Sequence, residues 1–168
     1  KFNDRGEVEI DEIKKLITNK TKLIGITHLS NVTGAILPIK KIADLAKSKN
    51  IPVLVDGCQA APHLKIDMQE LGCDFYAFSC HKMYGPTGVG ILYAKKKWTD
   101  ILPPYQGGGG MIEEVKKESV TFPKSPTKFE AGTLQTAEVV GFSESIRFIE
   151  NIGIKNIMEH ENKITEYG

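Results

Sequence analysis

The chain has 168 residues, enough for one domain with a real hydrophobic core and too few for two. Its 22 Lys and Arg against 21 Asp and Glu leave a formal charge of +1, which argues against an electrostatic nucleic-acid or membrane surface. No apolar run approaches the roughly 20 residues of a membrane helix, and three cysteines are too few and odd in number for a disulfide framework, so a reducing compartment is expected.

The first predicted element is a helix over residues 9–20, with Ile10, Ile13, Leu16 and Ile17 on one face. Residues 22–28 follow as a strand, whose continuous apolar run predicts burial on both faces. After the turn Ser30-Asn31-Val32-Thr33-Gly34, Pro38 opens a helix with Ile39, Ile42, Ala43, Leu45 and Ala46 as its apolar face. A strand over 51–55 ends at Asp56-Gly57, a short helix occupies 67–72, and a strand over 73–79 runs into a Gly- and Pro-rich loop. Residues 88–94 form the next strand. Strands alternating with helices predict an α/β domain with a mainly parallel sheet flanked by helices. Residues 103–131, with Pro103, Pro104, Gly107 to Gly110, Pro123 and Pro126, predict a long irregular segment. Helices resume near Thr136, with Val139, Val140, Phe142, Ile146 and Ile149 apolar, and near Ile154. The lysine clusters 40–41, 95–97 and 116–117 lack interleaved aromatics and read as solvated faces. A start at Lys1 without a leader pattern and an end inside a helical pattern at Gly168 suggest a segment of a longer protein.

In an open parallel sheet, ligands bind beyond the carboxyl ends of the strands. Asn31 follows the first strand, Asp56 and Gln59 the second, and Ser79, His81 and Lys82 the third. Neighbouring strands lie roughly 5 Å apart, so groups at their ends can flank one aromatic ring. An amine at a buried strand end, with its pKa drawn toward neutrality by burial, is a candidate for Schiff-base chemistry. An acid on a ring nitrogen opposite a lysine that forms an imine is what a pyridoxal phosphate enzyme requires.

Residues 73–91, with Phe78-Ser79-Cys80-His81-Lys82-Met83-Tyr84-Gly85-Pro86 at their centre, resemble the cofactor-attachment motif of the class V aminotransferase family. Together with Val55-Asp56-Gly57-Cys58-Gln59, the segment 28–34, Gln106-Gly107-Gly108-Gly109-Gly110 and Lys128-Phe129-Glu130-Ala131-Gly132-Thr133, the chain is similar to the group II (Suf-type) cysteine desulfurases. The resemblance implies a pyridoxal 5'-phosphate-dependent transferase-like large domain (aspartate aminotransferase fold type I). Residues 1–168 would be its central and C-terminal part, incomplete at both ends and without the small C-terminal domain. It implies Lys82 as the aldimine lysine, Asp56 on the pyridine nitrogen and Gln59 on the phenolic oxygen. Ser79 and His81 would bind the phosphate, Asn31 the substrate carboxylate, and Thr133 the phosphate of the partner subunit's cofactor in a homodimer. The implied reaction converts L-cysteine to L-alanine and an enzyme persulfide, passed to a sulfur-acceptor protein for iron–sulfur cluster assembly. The expected compartment is the cytoplasm, or an organelle if a leader precedes Lys1. The family's ring-stacking histidine is expected upstream of Lys1, and its persulfide cysteine and substrate-binding arginine beyond Gly168. None of the three cysteines here matches that nucleophile.

A selenocysteine lyase or another class V aminotransferase shares the same site. A non-catalytic dimerisation module would not need Lys82, Asp56 and Gln59 together. Cys58, Cys80, His63 and His81 fit no usual zinc spacing; the cysteines read as small buried thiols. The glycines 107–110 lack a following Lys-Ser/Thr and form no phosphate loop of the Walker type. They read as a flexible turn. His28, His63 and His160 read as structural or exposed, and Thr133 also as a cap for the following helix.

Overall fold

The computed structural model describes residues 3 and 6–167; the ends at Lys1 and Gly168 lie outside them. The chain runs α1 (Ile10–Leu16), β1 (Ile24–Thr27), α2 (Ile39–Lys47), β2 (Val53–Asp56), α3 (Met68–Leu71), β3 (Phe75–Ser79), a 3₁₀ turn (Cys80–Met83) and β4 (Gly90–Ala94). After these come α4 (Lys96–Ile101), the strand pair β5 (Glu114–Val115) and β6 (Val120–Thr121), a 3₁₀ turn (Thr127–Phe129), α5 (Thr136–Ile152) and α6 (Ile154–Tyr167). The main sheet has the order β1-β2-β3-β4. Its first three strands are parallel, and β4 returns antiparallel to β3. Thr27 lies level with Asp56, and Asp56 with Ala77. The carboxyl ends of β1, β2 and β3 therefore meet along one edge, where Ser79 also faces Gly90.

The local reasons are visible. Asp67 caps α3, its Oδ1 accepting from the amides of Gln69 and Glu70 at 2.8 and 3.1 Å, and Gly72 ends the helix in the left-handed region at φ 69°. The α2 stripe Ile39, Ile42, Ala43 and Ala46 is buried, while Leu45 stays half-buried at its margin. That stripe shares a core with Val53, Val55 and Tyr76 of the sheet and with Cys73 just before β3, and Ile10, Ile13 and Ile17 pack against the same core. Each buried aliphatic side chain here contributes about 1.5–3 kcal/mol.

The expected burial of the first strand on both faces is corrected: β1 is half-buried and Gly25 is exposed. The strand pairs on one side only, with β2, among the described residues. The lysines 95–97 are also more than a solvated face. Lys96 begins α4 and pairs with Asp100 one turn on, at 2.6 Å. Lys97 lies 2.9 Å and Lys95 3.5 Å from Oδ1 of the buried Asp74. Burial alone would push the Asp74 carboxyl up. The hydrogen bonds from Lys97, the Trp98 indole and the Val53 amide, with the charge of Lys95, outweigh it and hold the carboxyl below its usual range. Among the described residues no helix is long and apolar enough to cross a membrane.

Candidate functional site

Of the seven residues singled out from the sequence, Asp56 and Ser79 end the parallel strands β2 and β3, and Asn31, Gln59, His81 and Lys82 lie on the turns that follow the strands; Thr133 does not. Asp56 ends β2 with its carboxylate exposed, and Oδ1 accepts from the Cys58 amide at 2.9 Å. This aspartate turn fixes the carboxylate and leaves Oδ2 without a hydrogen bond among the described residues, open to a partner. Gln59 is half-buried on the coil that follows, which is stitched by bonds from the Ala61 amide to the Gly57 carbonyl (2.9 Å) and from the Leu64 amide to the Ala60 carbonyl (2.8 Å). Ser79 ends β3. Its Oγ is shielded from solvent and has no hydrogen-bond partner among the described residues. Leaving a buried hydroxyl unpaired costs about 1–3 kcal/mol, so this oxygen is poised for an incoming acceptor.

His81 and Lys82 stand on the 3₁₀ turn after β3, and both are exposed. The burial expected for Lys82 is therefore not supplied by the described residues, because the turn projects beyond the strand ends. The turn itself is firmly held. Its first residue, Cys80, is buried and its amide donates to the Val89 carbonyl at 3.1 Å. Tyr84 closes the turn in the left-handed region at φ 60°, and its carbonyl accepts from Ser145 Oγ of α5 at 3.1 Å. Gly85 lies so close to α5 that a Cβ there would meet the Phe142 ring at 2.8 Å.

Asn31 is exposed at the tip of the turn after β1, where Ser30 Oγ accepts from the amides of Val32 and Thr33 at 3.2 Å each. Thr133 is exposed ahead of α5, and no hydrogen bond joins it to the other six among the described residues. Nor does it cap that helix: the cap position is Gln135, which makes no side-chain cap bond. The glycine segment packs beside Thr133, with the Gly132 amide donating to the Gly109 carbonyl at 2.8 Å.

Sequence reasoning missed two polar pairs that join distant parts of the chain. His28 Nδ1 lies 3.0 Å from the Tyr76 hydroxyl, and His63 Nδ1 lies 2.7 Å from Glu161 Oε1 of α6. A histidine placed directly after the β1 strand pattern was the available signal for the first. Cys73 and Cys80 are buried and burial pushes both thiols up; Cys58 is half-buried. No group of three His, Cys, Asp or Glu side chains among the described residues could hold a metal. An oriented carboxylate, an accessible primary amine, a carboxamide, an imidazole and an orphaned buried hydroxyl on one edge form a donor set that suits a phosphorylated pyridine aldehyde.

The chain matches the family model described as Aminotransferase class-V over residues 1–168. Similar curated proteins include a probable cysteine desulfurase of Halalkalibacterium halodurans, 47% identical over 162 residues, covering 96% of this chain and 40% of that protein. The cysteine desulfurase of Wigglesworthia glossinidia brevipalpis is 45% identical over 164 residues, with 96% and 40% covered. Among solved structures, the cysteine desulfurase CsdA of Escherichia coli superposes with a TM-score of 0.88 at 37% identity, over 92% of this chain and 39% of that one. The cysteine desulfurase of Thermococcus onnurineus NA1 gives a TM-score of 0.93 at 33% identity, over 99% and 42%. The chain thus spans about 40% of the length of these curated relatives.

Proposed function

Because the chain belongs to the aminotransferase class-V family, we propose that it carries the pyridoxal phosphate site of a cysteine desulfurase of the group II type. Its fold is the pyridoxal phosphate-dependent transferase-like fold of its structural neighbours, and the 168 residues are the central and C-terminal part of that large domain. The observation that carries the reading is the shared edge: Asp56 is level with Ala77, two residues before the orphaned Ser79 hydroxyl and the start of the turn bearing Lys82.

When bound, pyridoxal phosphate supplies an electron sink for charge developing at the substrate's Cα. Lys82 would tether it, be released by the incoming amino group, and then take the Cα proton on Nζ. The free Oδ2 of Asp56 would hold a proton on the ring nitrogen, and the Gln59 carboxamide would donate to the phenolic oxygen. The Ser79 hydroxyl and the His81 imidazole would hold the phosphate. Asn31 would orient the carboxylate of L-cysteine, and Thr133 would serve the site of a second copy in a homodimer. The products are L-alanine and a persulfide on a cysteine other than Cys58, Cys73 and Cys80, whose sulfur passes to an acceptor protein for iron–sulfur cluster assembly in the cytoplasm.

The test uses the complete protein. Addition of pyridoxal phosphate is expected to give a visible absorbance band that Lys82→Ala abolishes, and L-cysteine is expected to yield L-alanine and sulfide under reducing conditions. A wild-type protein without the band would end the cofactor reading. A protein with the band that releases no alanine from L-cysteine would end the desulfurase reading alone.

A further inference from the structure

Behind the Asp56–Gly57 peptide lies a buried polar pair that the proposed chemistry does not use. His28, the first residue beyond β1, is 6% exposed, and Tyr76 of β3 is fully buried. The imidazole stands edge-on to the phenol ring, with centroids 5.9 Å apart and planes at 90°, and Nδ1 is 3.0 Å from the hydroxyl. Both residues also touch the segment that carries the acid. The His28 amide donates to the Asp56 carbonyl at 2.8 Å. The Tyr76 ring occupies the space a side chain at position 57 would need, since a Cβ there would lie 1.9 Å from Cε1 and 2.4 Å from the hydroxyl oxygen. On its other side the Gly57 amide donates to the Ala77 carbonyl at 2.7 Å.

The place of the Asp56 carboxylate therefore depends on a short physical chain. The main chain at 56–57 rests on a ring, and the ring's free end is held by one hydrogen bond. A phenol without that bond can tilt about Cβ, and a tilt of the ring moves the glycine lying on it. We propose that His28 and Tyr76 are positioning residues that set the direction of the Asp56 carboxylate toward the ring nitrogen of a pyridine-class cofactor. The inference rests on the reading of the site given above. It adds that the acid's geometry is set by two residues outside the group that binds the cofactor, acting through Gly57.

The experiment titrates the complete protein with pyridoxal phosphate and follows the visible band and its pH midpoint. His28→Ala and Tyr76→Phe are each expected to weaken cofactor binding about ten-fold, the low end of what loss of an orienting partner costs at a ligand site, and to move the pH midpoint. His28→Asn, whose amide nitrogen stands near the position of Nδ1, is expected to recover most of the loss. In an Asp56→Asn background, His28→Ala is expected to add little, because residues acting through one another are non-additive. Wild-type affinity and pH midpoint in His28→Ala, with only a lowered thermal midpoint, would overturn the inference; so would a loss that adds in full to that of Asp56→Asn. A wild-type protein that takes up no cofactor would overturn the site reading and this inference together. If His28→Ala does not fold, Tyr76→Phe and His28→Asn carry the same comparison.

Discussion

At position 57 the difference between a hydrogen and a methyl group decides how β2 meets β3. Gly57→Ala would place a carbon 1.9 Å from the Tyr76 ring, which the bond to His28 holds in place and which the paired strand keeps against position 57. The expected cost is about 3 kcal/mol, the upper part of the range for overpacking, read as a lower urea midpoint at unchanged slope. His28 gives the same region a dependence on pH. Burial lowers its pKa from 6.5, so the unfolded chain takes up a proton before the folded one does. In that window the unfolded state binds more protons, and stability falls with falling pH. The histidine's contribution is complete above about pH 6.5, is lost as pH falls toward the folded-state value, and is level below it. The limiting slope for one proton is about 1.4 kcal/mol per pH unit. Chemical denaturation between neutral and mildly acidic pH should show stability falling as pH falls, with His28 contributing up to this slope, and a shallower fall in His28→Asn.

The element that holds the lysine turn is α5. Phe142 packs on Phe78 with ring centroids 6.5 Å apart and abuts Gly85, Tyr84 meets Phe148 at 5.7 Å, and Ser145 bonds the Tyr84 carbonyl. Phe142→Ala is expected to cost about 3–5 kcal/mol and Ser145→Ala about 1 kcal/mol. Both should speed hydrogen exchange at the Gly85 amide, which is bonded to the Cys80 carbonyl; exchange unchanged in Phe142→Ala would mean the turn is held from elsewhere. Helix periodicity made α2 legible in the sequence, and the short helix expected over 67–72 is α3, with Asp67 and Gly72 as its caps. The motif residues Asp56, Gln59, Ser79, His81 and Lys82 were legible because each lies within a few residues of a strand end. Tyr76 and Glu161 were not, because they meet His28 and His63 across 48 and 98 residues of sequence, and only the folded chain makes such pairs neighbours. The helix α4 was hidden by reading Lys95 to Lys97 as surface charge, although the spacing of Lys96 to Asp100 marks a helical turn. In α5 the apolar period was right and the buried face narrower than expected. Phe142 and Ile149 are buried, whereas Val139, Val140 and Ile146 are exposed.

For the whole molecule those exposed residues form part of a larger imbalance between core and surface. A compact monomer of 18.6 kDa presents about 8,200 Å² of accessible surface, whereas this chain presents 11694 Å². The excess includes apolar faces on structured elements: Ile91 and Leu92 on β4, Val139, Val140 and Phe148 on α5, and Leu23 just before β1. The strands β1 and β4 each keep one unpaired edge among the described residues. Unpaired edges beside apolar side chains are templates for association. A protein made of these 168 residues alone is therefore expected to self-associate, seen as a sedimentation coefficient that rises with concentration. Leu92→Lys with Val140→Lys should reduce that rise while leaving the thermal midpoint within a few degrees, since neither side chain belongs to the buried core and substitutions at such exposed positions shift stability by roughly 0.5 kcal/mol or less. A wild-type chain that sediments as a monomer at every concentration and unfolds in one cooperative transition would refute this, and would mean that the α2-covered core of β1 to β3 suffices to keep the open faces apart.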